Sequence, residues 1–241
     1  YMAGSDKISV IEYYIPIYPE FSDDGLTANG AYGPRLYSQR GYNQLDRICE
    51  LIKDKPDTRQ AVIQLLNTED VYAGTKDVPC TCTLQFFPRG NTLHLMCHMR
   101  SNDAYKGLPH DIFAFTMLHE FVARETGLVL GTYHHSVGSM HLYEEDFDGA
   151  RTFLSEGWQE NLPMPPMPDG PQHLHLNTVL EHERTIRTAN QIPKDLSHLP
   201  PYWADLTRLL AFYSLTSESR SPTVKERRQM ASILHSLESD P

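Results

Sequence analysis

The stretch that most constrains this chain runs over TLQFFPRGNTLHLMCHMR, followed a few positions later by a long apolar period. TLQFFP and TLHLMCHMR have strand character and are separated by Arg89-Gly90-Asn91, so a β-hairpin is predicted. Successive side chains of a strand point to opposite faces. Leu93, Leu95, Cys97 and Met99 therefore share one face, and His94, Met96, His98 and Arg100 the other. Past a Gly-Leu-Pro loop, Ile112, Phe115, Leu118 and Val122 recur at near-helical spacing until Gly127, which suits a helix stop. Asp111 stands where the loop becomes this helix and reads as its N-cap, a position that favours Asp.

The surrounding chain has the same mixed character. YNQLDRICELIKD places Leu45, Ile48, Leu51 and Ile52 on one helical face, and AVIQLLN is a short β-branched run. LVLGTYHHSVGSMHLY returns to β pattern, with Gly131 and Gly138 marking a bulge or a close backbone approach. NLPMPPMPDGPQ reads as a linker or extended arm, because proline fits neither helix interiors nor central strands. PYWADLTRLLAFYSL and TVKERRQMASILHSL follow as amphipathic helices. The class is mixed α/β with a helical C-terminal region.

At 241 residues the chain can bury a sizeable core as one large domain or two small ones. With 31 acidic against 21 basic residues its surface repels phosphate backbones and acidic membranes, so neither nucleic acid nor membrane is an expected partner. A phosphate-bearing ligand needs a local cluster of arginine. No apolar run approaches the ~20 residues of a membrane span, and YMAGSDKISV lacks a basic leader, so a cytoplasmic location is expected. The four cysteines do not look like a disulfide framework. The opening without a methionine suggests a segment missing before Tyr1.

Four groups of residues can carry chemistry. Cys80, just after Pro79 and opening a strand, can lie near Arg100 on the neighbouring strand, where a cation lowers a thiol's pKa; the plain alternative is a buried small hydrophobe. Cys80 and Cys82 with His94, Cys97 and His98 offer soft metal ligands, but the spacing is not a zinc-ribbon spacing and alternation parts Cys97 from His98. No metal is expected. Arg100, Ser101 and Arg59 suit a phosphate, or a surface ion pair. His141 and Tyr143 fall on one side of a strand and offer polar tips to a sugar, or serve as core residues.

Taken in order, IYPEF, GAYGPRL, PDTRQAVI, the Pro79-Cys80 pair with Gln85-Phe86, MRSND with Gly107-Leu108-Pro109, and VGSMHLY resemble the thymidylate synthase family. The resemblance implies a mixed sheet with packed helices, a homodimer, and one catalytic domain over residues 1–241. Its core would span 1–162, and residues 163–241 would form a Pro-rich segment and a divergent helical region. It further implies that Cys80 is the nucleophile, that Arg100 and Ser101 hold a phosphate, and that Arg59 reaches it across the dimer interface. Gln85, His141 and Tyr143 would meet the pyrimidine nucleotide, and Tyr32 would join the site's hydrogen-bond network. Tyr18, Phe21, Asp103 and Gly107 would face methylenetetrahydrofolate.

The departures from the family pattern carry the specificity. GLPHDI stands where the family has GLPFNI, so Asp111 replaces the asparagine that reads uracil. An amide both donates and accepts, whereas a carboxylate only accepts. Cytosine offers its exocyclic amine and, once protonated, its ring nitrogen, so Asp111 points to CMP or dCMP. With the Cys-Thr-x-Thr-x-Gln pattern, Asp111 makes the chain similar to deoxycytidylate hydroxymethylase, which adds water where a synthase delivers hydride. Tyr18 and Phe21 replace a tryptophan pair, a smaller wall that admits water. The family's catalytic Glu would precede Tyr1, Arg59-Gln60 replaces an Arg-Arg pair, and residues 163–241 lack the family C-terminus. The alternatives are a nucleotide methylase that keeps the folate redox step, and a non-catalytic nucleotide-binding protein on the same fold.

Overall fold

The computed structural model describes residues 1–158, 164–216, 227–228 and 230–234. The chain divides into two compact units, Tyr1–Pro163 and Met164–Pro241. In the first, the elements run α1 (Ile8–Ile11), α2 (Tyr32–Tyr37), α3 (Gln44–Asp54), β1 (Val62–Gln64), α4 (Thr68–Tyr72), β2 (Thr81–Arg89), β3 (Thr92–Met99), β4 (Asn102–Asp103), α5 (Gly107–Thr126), β5 (Val129–Val137), β6 (Met140–His141) and α6 (Phe147–Ser155). The second holds α7 (His173–Ala189) and α8 (Pro201–Thr216), the latter covering PYWADLTRLLAFYSL. Of TVKERRQMASILHSL only residues 227–228 and 230–234 are described, as helix; the rest of that predicted helix and the start of the Pro-rich stretch lie outside the described residues. Among the described residues no helix is long and apolar enough to cross a membrane.

The main sheet has the order β1-β2-β3-β5, antiparallel except for the parallel β3/β5 pair, which α5 connects. The predicted hairpin is β2 and β3, closed by Gly90 and Asn91. Gly90 has φ +57°, the left-handed value that the first central residue of a type II′ turn requires. Leu93, Leu95, Cys97 and Met99 are buried as alternation predicts. Phe115, Leu118, Phe121 and Val122 of α5 are buried too, and α5 is tied to the sheet by a 2.9 Å bond between His119 Nε2 and the Leu93 carbonyl. Each such apolar side chain contributes roughly 1.5–3 kcal/mol. Gly127 ends α5 at φ +72°.

Two irregularities shape the end of the sheet where the chemistry-bearing residues sit. Thr81 pairs with Met99 but Thr83 with His98, so Cys82 is an extra residue in β2, a bulge that re-aims its neighbours. On β5 the register slips opposite Leu93–Leu95, beside Gly131; a Cβ there would fall 2.3 Å from the Leu93 carbonyl oxygen, so only glycine fits. At Gly138 a Cβ would lie 3.1 Å from the Arg100 carbonyl oxygen. Beyond this point β4 and β6 continue the parallel pairing as a separate two-stranded ladder.

Helix α5 begins earlier than its apolar period. It starts at Gly107, which places Asp111 in its second turn rather than at its N-cap. The cap comes from Asp103, whose carboxylate accepts from the amides of Tyr105 (3.1 Å), Lys106 (2.7 Å) and Gly107 (2.9 Å). Pro109 is tolerated because first-turn amides have no intrahelical acceptor.

Candidate active site

Cys80 is the residue before β2 and is partly buried. The Arg100 amide donates to the Cys80 carbonyl (2.8 Å), extending the hairpin ladder by one step and bringing the Arg100 side chain alongside. Its Nε donates to Pro79 O (3.0 Å), its Nη2 to Val78 O (2.8 Å), and Nη2 also reaches Cys80 Sγ at 3.8 Å. Nη1 stays outside these bonds. From the other side, the Thr81 amide and hydroxyl both donate to the Tyr32 phenol oxygen, at 3.0 and 2.9 Å. Tyr32 opens α2, so helix and strand clamp the backbone that carries the thiol.

The expected lowering of the Cys80 pKa by Arg100 is not the net result. Burial pushes the thiol up, Arg100 pulls it down, and the carboxylates of Asp111 and Asp77 push it up again, leaving it above its ordinary value. A cation adjacent in sequence pattern says nothing of desolvation, which is set by the fold.

Asp111 and Cys80 thus feel each other's charge within one site. Asp111 is partly buried; Asn102 Nδ2 donates to its Oδ2 at 2.7 Å and the Tyr1 hydroxyl donates to its Oδ1 at 3.3 Å. Burial outweighs these bonds and raises the Asp111 carboxyl above the usual range. Tyr18 couples electrostatically to both Cys80 and Asp111, and its hydroxyl donates to Asp77 Oδ2 at 3.4 Å. Phe21 meets Tyr18 edge-on at 5.8 Å and is 45% exposed.

A second cluster follows Arg100 in the chain. Ser101 Oγ lies 3.3 Å from His141 Nδ1, and the His141 and Tyr143 rings meet edge-on at 5.0 Å. Only His141 is in a strand; Tyr143 lies beyond β6. Asp103 and Gly107 are joined by the helix cap. Gln85 lies within β2 and donates from Nε2 to the Arg59 carbonyl (3.2 Å). Arg59 itself is exposed ahead of β1, and it is this backbone carbonyl, not its guanidinium, that joins it to Gln85. Among the described residues no group of three or more His, Cys, Asp or Glu side chains is placed to hold a metal ion.

Three contributors escape a reading of the sequence: Asn102, Asp77 and Tyr1. Asn102 lies inside MRSND and Asp77 just ahead of Pro79-Cys80, so proximity to the motif is their only signal.

The family model described as thymidylate synthase matches residues 1–182, and the chain belongs to the thymidylate synthase family. Among curated proteins it is similar to a deoxyuridylate hydroxymethyltransferase of Bacillus phage SP01, 34% identical over 159 residues, covering 61% of this chain and 42% of that protein. It is also similar to the deoxyuridylate hydroxymethyltransferase of Delftia phage PhiW-14, 35% identical over 157 residues, covering 59% and 43%. The chain thus spans less than half the length of these relatives.

Proposed function

We propose that the chain is a folate-dependent pyrimidine nucleotide 5-hydroxymethylase acting on CMP or dCMP. The observation that carries this reading is a partly buried carboxylate, Asp111, that accepts from the Asn102 amide at 2.7 Å and whose charge is felt by the Cys80 thiol. The relatives' names supply the hydroxymethyl transfer; the choice of cytosine rests on Asp111.

In this reading the phosphate is held by the free Nη1 of Arg100 and by Ser101, with Arg59 donated from a second copy. The homodimer is favoured by the exposed row of Val62 and Met96, which flank Gln85 across the sheet just beyond Arg59. His141 and Tyr143 present polar groups to the sugar, and Gln85 to the nucleotide. Asp111 accepts from the exocyclic amine and shares a proton with the ring nitrogen. A raised carboxyl pKa brings it closer to that of the ring nitrogen, which favours sharing.

Sharing that proton also removes one of the two carboxylate charges that oppose ionisation of Cys80, Asp77 being the other, so that Arg100 weighs more toward the thiolate. Cys80 Sγ then bonds to carbon 6, and carbon 5 becomes the nucleophile that takes up the one-carbon unit. Loss of the carbon 5 proton and departure of tetrahydrofolate would leave an exocyclic methylene; water would add to it, and expulsion of the Cys80 thiolate would restore the ring double bond. Tyr32 keeps the Cys80 backbone in place through Thr81.

Methylenetetrahydrofolate supplies the one-carbon unit. The residues fit such a group: Tyr18 and Phe21 form a partly open aromatic wall, and Gly107 adds no side chain at the start of α5. Asp103 keeps one of its about four acceptor positions beyond the three used in capping.

Tritium release from carbon 5 tests the reading, with CMP, dCMP, UMP and dUMP each supplied with methylenetetrahydrofolate. Release from a cytidylate, with a hydroxymethylated product, is expected. Release from a uridylate alone would favour the second reading, a deoxyuridylate hydroxymethylase as the relatives are named. Methylated nucleotide and dihydrofolate would indicate a synthase-like methylase, and no release a nucleotide-binding protein. Cys80→Ser is expected to abolish turnover while nucleotide binding stays measurable.

A further inference from the structure

Lys106 and Asp146 have no part in the reading above, yet they join the segments that supply its folate-facing and sugar-facing residues. Asp103 and Gly107 belong to the stretch that opens α5, and His141 and Tyr143 to the stretch that leads into α6. The β4/β6 pairing aligns the two stretches, Asp103 opposite His141, and ends with the Ala104 amide donating to the His141 carbonyl at 2.8 Å. Tyr143 lies past this ladder and is 52% exposed. Strand pairing does not reach far enough to place it.

Asp146 does. It closes the single 3-10 turn that follows Tyr143, and its amide donates to the Tyr143 carbonyl at 3.0 Å. It also stands at the N-cap of α6, where an Asp carboxylate ordinarily accepts from the first amides of the helix. The Asp146 side chain makes no such bond. Its Oδ1 turns to Lys106 instead and accepts from Nζ at 2.6 Å, while its Oδ2 is buried without a hydrogen-bond partner. Asp146 is 7% exposed, so Lys106 is the cation that compensates a buried charge. The backbones are close here as well: a Cβ at Gly149, in the first turn of α6, would fall 2.7 Å from the Tyr105 hydroxyl oxygen.

We propose that the Lys106–Asp146 ion pair is a positioning device for Tyr143: it ties the turn that carries Tyr143 to the entry of α5 and so sets where the phenol meets the nucleotide's sugar. The inference rests on the nucleotide reading of the site, not on the choice of base. An ion pair with one buried partner fails asymmetrically. Removing the Lys106 charge leaves a buried carboxylate without its cation, and that carboxylate regains water only if the turn moves outward. Tyr143 moves with it, through the backbone bond to Asp146. The lysine end is exposed and screened by solvent, which keeps the effect to a few-fold and not to orders of magnitude.

The test is the dissociation constant for CMP, dCMP, UMP and dUMP, measured by calorimetry on the full chain. The variants are Lys106→Met, Lys106→Arg, Asp146→Asn, Tyr143→Phe and the double variant Lys106→Met with Tyr143→Phe. Lys106→Met removes the charge at similar side-chain length and should weaken nucleotide binding about 3- to 10-fold. Lys106→Arg should recover most of that loss. In the Tyr143→Phe background Lys106→Met should cost about twofold or less, since its effect passes through the phenol. A readout that needs no nucleotide is hydrogen exchange at the Asp146 amide, which should quicken in Lys106→Met and not in Lys106→Arg.

An equal effect of Lys106→Met in the two backgrounds, no effect included, would overturn the positioning role while leaving the nucleotide reading intact. Failure of the wild type to bind any of the four nucleotides would remove the nucleotide reading, and the role of the ion pair with it. If Lys106→Met folds poorly, Asp146→Asn decides, because it discharges the other partner at constant size and should show the same dependence on Tyr143.

Discussion

Asp103 and Asp111 sit on either side of the start of α5. The fold gives them opposite work. Asp103 directs its carboxylate onto the amides of Tyr105, Lys106 and Gly107, which lead the chain into the helix; although burial pushes it up, those bonds hold it below the usual carboxylate range. Asp111 has no backbone amide to satisfy. Burial dominates there, its carboxyl is raised, and its neighbours are a thiol, phenols and one amide. A carboxylate's role is set by whether its hydrogen bonds repay its desolvation. Where they do, it is structural. Where they do not, charge is left for chemistry.

Several measurements probe this contrast. The largest effect is expected from Asp111→Asn, which restores donor and acceptor together and should change the cytidylate-to-uridylate ratio of kcat/KM by about 10²-fold or more toward uridylate. An unchanged ratio would place Asp111 outside base recognition. Asp103→Ala should instead leave that ratio alone and lower stability by roughly 1–2 kcal/mol through loss of the cap, read by denaturant unfolding. If Asp103→Ala moved base choice instead, the division between the two carboxylates would be wrong.

The pH dependence of stability should carry opposite signs. Asp103 has a depressed folded pKa, so its contribution is present above the unfolded value of about 3.9 and is lost as pH falls through the folded one. Asp111 has a raised folded pKa; folding then opposes its ionisation, and stability falls as pH rises from the unfolded value to the folded one. Unfolding curves of Asp103→Asn and Asp111→Asn across acid pH, each subtracted from wild type, should slope in opposite directions. The smallest effect follows from the same reasoning: Asp111→Asn should raise the melting temperature at neutral pH by a few degrees, of order ~2–4 °C, as functional sites give up stability for reactivity. A lowered melting temperature would mean that the Asn102 bond more than repays the burial of the charge.

Much of the frame is legible in the chain itself. The hairpin, its buried Leu93-to-Met99 face, the Gly127 stop and the tight approaches at Gly131 and Gly138 follow from alternation, helical spacing and glycine's freedom, which are local properties. The neighbourhood of Cys80 and Arg100 is legible for the same reason, since a hairpin register pairs the two strand ends. The start of α5 is not. Its apolar period begins at Ile112, while the helix begins at Gly107, where Asp103 accepts from the first amide of a Gly-Leu-Pro-His turn that reads as a loop.

The amino-acid order alone therefore specifies the strand and helix pattern, the pairing of a cysteine with an arginine, and the exchange of an amide for a carboxylate at Asp111. It takes the folded chain to push the Cys80 thiol up despite Arg100, to make Asp103 and not Asp111 the helix cap, and to set Asn102 against the carboxylate. Periodicity and motif are written in neighbouring residues. Desolvation and hydrogen-bond partnership arise where segments distant in sequence close around one another, as Tyr1, Tyr32, Cys80, Asn102 and Asp111 do here.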